Sequence, residues 1–69
     1  MESIKVTVNL PEQAVADLKA MAEEDGLTNT QTLRDAVQLK KYVHDALKAG
    51  STFLLHRPDG TIRELIFKV

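Results

Sequence analysis

The chain has 69 residues, 43% of them apolar, no cysteine and a formal net charge of −1. This describes one small domain with a core; it excludes a disulfide scaffold and a disordered chain, and bulk charge gives no pointer to nucleic acid. A chain this short buries only about 60% of its unfolded surface, so folding alone is marginal. His44 and His56 are too few and too far apart for a structural zinc site, which leaves association with further copies as the expected support. No apolar run reaches membrane-spanning length and no signal-peptide layout opens the chain, so a cytoplasmic location is expected.

The first element is "IKVTVNLPEQ". Ile4, Val6, Val8 and Leu10 alternate with Lys5, Thr7 and Asn9, which predicts a β-strand over about 3–10 ended by Pro11. A lone strand is unstable in water, and no second one follows for roughly forty residues. Pro11 suits a helix start, and Glu12 suits the positive end of the helix dipole. Ala14, Val15, Leu18, Met21 and Ala22 then recur at helical spacing, with Asp17, Lys19, Glu23 and Glu24 largely off the stripe. Gly26 is expected to end this helix in a left-handed conformation, with Leu27 folding back on it.

Thr28 with Gln31 forms a capping-box pattern and announces a second helix. Leu33, Ala36, Val37, Lys40, Val43, His44 and Leu47 trace its inner face, and Ala49-Gly50 closes it. The tail, "STFLLHRPDGTIRELIFKV", reads as a hairpin about Pro58-Asp59-Gly60, a type I turn with glycine in the left-handed position. In that register His56 faces Ile62, Leu54 faces Glu64 and Phe53 faces Leu65. One face carries Phe53, Leu55, Leu65 and Phe67, and the other carries Leu54, Ile62 and Ile66. Both therefore need cover, and the pattern does not choose between them.

Strand, proline, short helix, Gly-Leu-Thr turn and longer helix: from about Lys5 to Leu47 this order resembles the ribbon-helix-helix family of DNA-binding proteins, the MetJ/Arc/CopG group. "KVTVNLPEQAVADLKAMAEEDGLT" and the helix cap after it carry the likeness. The resemblance implies an α+β fold of order β-α-α-β-β, in which the first strand pairs antiparallel with that of a second copy. Residues 1–50 would be the DNA-binding and dimerisation domain. Residues 51–69 would be a hairpin extension that packs on it or mediates assembly, outside the family's minimal motif.

The resemblance implies a transcriptional regulator of the repressor type, associated with the nucleoid. Its partners would be double-stranded DNA and itself, as a homodimer, tetramer or higher assembly. Lys5, Thr7 and Asn9 would face base edges in the major groove, where lysine suits guanine, asparagine adenine and threonine the thymine methyl. Thr28, Asn29 and Thr30 would hold a phosphate at the second helix N-terminus, with Arg34 adding a weaker phosphate contact. Ile4, Val6, Val8, Leu10, Leu18, Leu33 and Val37 would form the shared dimer core. Glu12, Asp17, Glu23, Glu24 and Asp25 sit on or beside the first helix, so the acidic charge is segregated from these segments. Plasmid control, an antitoxin role and nucleoid organisation all occur in the family, and nothing in the chain selects among them or names an effector.

Each of these residues also has a plainer reading. An alternating polar strand face is more often solvated than a base reader, and Thr28 caps a helix whatever the protein does. Lys40 and Lys41 read as a solvated helix edge; Arg57, Arg63 and Lys68 are weak anion candidates. Ser51 and Thr52 lack a histidine–carboxylate pair at suitable spacing, and no glycine-rich phosphate loop is present, so no enzyme, cofactor or metal is expected. The alternative reading is a protein-interaction or assembly module. There the N-terminal strand pairs with the C-terminal hairpin in its own chain, making a three-stranded sheet that binds no DNA.

Overall fold

The computed structural model describes residues 3–67. It is an α+β structure of order α1 (Glu12–Asp25), α2 (Asn29–Lys48), β1 (Phe53–His56) and β2 (Ile62–Leu65). The expected order β-α-α-β-β is corrected to α-α-β-β. Residues 3–10 form no strand, because a strand exists only where its backbone groups are paired, and among the described residues they make no backbone hydrogen bond. The sheet has two strands, β1 and β2, so the three-stranded sheet of the alternative reading is not formed either. Lys68 lies outside the described residues. The chain divides into two units, Met1–Ala36 and Val37–Val69, with the division falling inside α2.

In the first unit, Pro11 sits at the N-cap of α1 with φ −58° and ψ 154°. Its ring presets φ, and its carbonyl accepts the first helical bond, from Val15 N–H at 3.1 Å. α1 stops at Gly26, which takes φ 67° and ψ 30°. A residue with a Cβ would pay about 1–2 kcal/mol for that conformation. The end is closed by two backward bonds, Gly26 N–H to Glu23 O at 3.3 Å and Leu27 N–H to Ala22 O at 2.9 Å. This is the Schellman arrangement, and it satisfies carbonyls that the helix leaves orphaned.

Two residues later α2 begins behind Thr28. Among the described residues of this unit, Ala22 and Thr32 are buried. Thr32 buries a hydroxyl and satisfies it locally, donating to Thr28 O at 3.1 Å.

In the second unit, α2 ends as α1 does: Gly50 N–H donates to Leu47 O at 3.0 Å and Ser51 N–H to Ala46 O at 3.0 Å. Lys48 stands in the last turn, where a cation suits the helix dipole. β1 and β2 pair antiparallel in the expected register, Phe53 with Leu65, Leu54 with Glu64, Leu55 with Arg63 and His56 with Ile62. The turn between them is closed by Gly60 N–H to Arg57 O at 3.0 Å. Gly60 then takes φ 90°, and Arg57 N–H meets Thr61 O at 2.8 Å, the bulged geometry that a glycine permits.

Aromatic contacts decide which face of the hairpin is covered. Phe53 meets Tyr42 of α2 edge-on, with centroids 6.4 Å apart, and Phe67 edge-on at 5.8 Å. The Phe53–Leu55–Leu65–Phe67 face is thus the inner one. Tyr42 lies off the expected inner face of α2. The sequence signal for it is a second stripe, Leu39, Tyr42 and Ala46, at spacings of three and four. Val43 is the buried apolar residue of this unit.

Candidate nucleic-acid interface

The segment 3–10 and the start of α2 carry the residues expected to meet DNA, and both belong to the first unit. Every residue from 3 to 10 is exposed. The apolar set is open along its whole length: Ile4 is 85% exposed, Val6 74%, Val8 58% and Leu10 44%. Lys5, Thr7 and Asn9 are exposed as well, so in one chain neither side of the segment is covered. Four consecutive alternate large aliphatics in water cost hydrophobic free energy on the scale of about 1.5–3 kcal/mol for each side chain that burial would recover.

The N-terminus of α2 is arranged by the capping box. Thr28 Oγ1 accepts from Gln31 N–H at 3.0 Å, and Gln31 Oε1 accepts from Thr28 N–H at 2.9 Å. Thr32 N–H, the next donor along, goes to Thr28 O at 3.0 Å. That leaves the backbone N–H groups of Asn29 and Thr30, which have no acceptor among the described residues. No acid stands in the first turn of α2, so the positive end of its dipole is not neutralised there. Asn29, Thr30 and Arg34 are exposed, and neither Arg34 nor Lys5 is ion-paired among the described residues. The resulting feature is two adjacent open amide donors at a helix end with a guanidinium one turn on, which is anion-binding chemistry.

The residues expected in a dimer core behave alike in the single chain. Leu33 is 41% exposed and Val37 63%, while Leu18 is half-buried. No hydrogen bond or ion pair joins residues 3–10 to the Thr28–Arg34 segment among the described residues. Lys41, by contrast, is engaged, donating to Asp45 Oδ1 at 3.0 Å on an exposed helix surface where such a pair adds little.

Asp59 is the one described group whose ionisation is clearly displaced. Its Oδ1 accepts from Thr61 N–H at 3.0 Å and from Thr61 Oγ1 at 2.7 Å, and the backbone bond first, then the hydroxyl, holds the carboxyl below the usual 3.8. This is a turn lock, remote in function from the segments above. Among the described residues no cluster of three or more His, Asp or Glu side chains is placed to hold a metal ion, and no helix is long and apolar enough to cross a membrane.

No family model matches the chain, and neither a curated protein nor a solved structure matches it. The ribbon-helix-helix resemblance therefore rests on the order and spacing of the residues themselves.

Proposed function

We propose that the protein is a DNA-binding homodimer of the ribbon-helix-helix kind, a non-enzymatic transcriptional regulator. The observation that carries this reading is the segment 3–10: alternating from Ile4 to Leu10, exposed at every residue, and without a backbone partner among the described residues. A second copy of the same segment is the simplest partner. Antiparallel pairing would satisfy both backbones and turn Ile4, Val6, Val8 and Leu10 of both chains to one side, where Leu18, Leu33 and Val37 add apolar surface.

Lys5, Thr7 and Asn9 then line the opposite side in duplicate and enter the major groove. Two copies of the α2 N-terminus, each with the open Asn29 and Thr30 amides and Arg34, flank the ribbon and hold phosphates. Glu12, Asp17, Glu23, Glu24 and Asp25 lie outside both segments, a segregation of charge that permits DNA binding despite the negative total.

The test pairs selection of genomic fragments by purified protein with two variants. Lys5→Ala with Asn9→Ala loses site preference while its unfolding free energy stays within about 0.5 kcal/mol of the parent, as solvent-facing changes do. Val6→Asp loses the dimer and the fold together, since it buries an unpaired charge. A folded monomer at micromolar concentration, or fragment recovery no better than for unrelated DNA, overturns the reading.

A further inference from the structure

The hairpin has a second face that the aromatic contacts leave open. With Phe53 and Phe67 turned inward, the outward positions are Leu54 and His56 on β1 and Ile62, Glu64 and Ile66 on the β2 side. Leu54 is 63% exposed, Ile62 60% and Ile66 80%, and His56 and Glu64 are exposed with them. A two-stranded ribbon with three large aliphatics in water is marginal by itself, and among the described residues both of its edges are unpaired.

The arrangement of those side chains specifies what would cover them. Leu54 stands opposite Glu64, and His56 opposite Ile62. The four form a checkerboard, apolar along one diagonal (Leu54–Ile62), with the imidazole and the carboxylate at the two remaining corners. Two-fold axes lying parallel to the sheet can stack such a face on a second copy of itself. An axis along the strands puts Leu54 on Glu64. An axis across them puts Glu64 on Ile62 when it passes between the rows, Glu64 on Glu64 when it passes through the Leu54–Glu64 row, and His56 on His56 when it passes through the other row. An axis along the His56–Glu64 diagonal puts like on like at both polar corners.

The axis along the Leu54–Ile62 diagonal is the exception. It returns Leu54 onto Leu54 and Ile62 onto Ile62 and, with strands about 5 Å apart and alternate residues about 7 Å apart, brings each His56 to within about 3 Å of the place opposite the other copy's Glu64, a gap the side chains span. The two hairpins then cross steeply, as orthogonally packed sheets do.

We infer that the outer face of the hairpin is an isologous contact between two copies of this chain, closed by the Leu54–Ile62 diagonal and by reciprocal His56–Glu64 pairs. In such a contact each imidazole N–H donates to a carboxylate, so the polar corners are satisfied rather than merely desolvated. Ile66 extends the apolar strip at the β2 end. The contact is separate from pairing through residues 3–10 and does not depend on DNA binding. Where both contacts operate, dimers are joined into tetramers or longer arrays.

The experiment is sedimentation of the full chain at tens of micromolar, with circular dichroism to check the fold. Leu54→Thr and Ile62→Thr, which keep strand preference, halve the assembly mass or reduce it further. Glu64→His and His56→Glu each do the same, and the double variant His56→Glu with Glu64→His restores the parent mass, because exchanging the corners preserves the pairing. Parent mass retained by the threonine variants overturns the proposal, as does a double variant that stays at the reduced mass. The threonine and corner-exchange variants leave residues 3–10 untouched, and Lys5→Ala with Asn9→Ala reports on DNA binding with the fold kept, so failure of that reading and failure of this one are read from different variants.

Discussion

Thr28 and Gln31 hold each other by two reciprocal bonds, Gln31 N–H to Thr28 Oγ1 and Thr28 N–H to Gln31 Oε1, at 3.0 and 2.9 Å. The pair consumes the donors on either side of Asn29 and Thr30 and leaves those two amides open. A structural device thus selects which backbone groups are free for an anion. Thr28→Ala removes one acceptor and destabilises the protein by about 1 kcal/mol, as cap losses do.

Asn29→Pro separates the phosphate role from the capping role. Proline is favoured at the first helical position, where the lost N–H has no intrahelical partner, and Thr28 lies outside the helix at the capping position, where the usual extended backbone is the one a following proline requires. The variant is expected to melt at or above the parent temperature and to bind DNA more weakly by the loss of one amide donor per chain. Unchanged affinity in a fluorescence-anisotropy titration would remove Asn29 from the interface.

Arg34 adds charge to that amide pair and should be visible in salt dependence. Each phosphate neutralised contributes about −0.9 to the slope of log K against log salt. Arg34→Ala removes two such contacts per dimer, so the slope becomes shallower by about 2, with sequence preference retained. A parallel downward shift of the line with no change in slope would mean that Arg34 acts on the fold and not on phosphate.

Asp59 ties the hairpin turn to pH. Its carboxyl is held below 3.8 by the Thr61 backbone and hydroxyl bonds, so its charged form is favoured in the folded turn. A depressed acid contributes stability that is fully present above the unfolded value and is lost as pH falls through the folded one. The hairpin therefore keeps the whole Asp59 contribution at neutral pH and loses it progressively as pH falls below about 3.8, the ordinary aspartate value. Carboxyl carbon shifts followed by NMR during acid titration should place the Asp59 midpoint under the ordinary value, and Thr61→Val should raise it. The hydroxyl bond is lost in that variant while the backbone bond remains, so the return is partial.

The parts of this structure legible in the sequence are those set by neighbours a few residues apart. Gly26 ends α1 because its own backbone must turn left-handed, and Thr28 starts α2 because Gln31 is within one turn. Pro58-Asp59-Gly60 sets a turn that forces His56 opposite Ile62. Each is a short-range bond or a single torsion, and the sequence states both partners together.

Tertiary structure decided what depends on distant partners. Alternation over residues 3–10 marks a segment able to be a strand, yet only the fold reveals that the described residues of its own chain supply no mate. The hairpin is apolar on both faces by pattern, and the edge-on stack of Phe53 between Tyr42 and Phe67 turns one face inward and leaves Leu54, Ile62 and Ile66 outside. Pairing and packing are relations between surfaces far apart along the chain, so periodicity can announce that a face needs cover without saying which surface provides it.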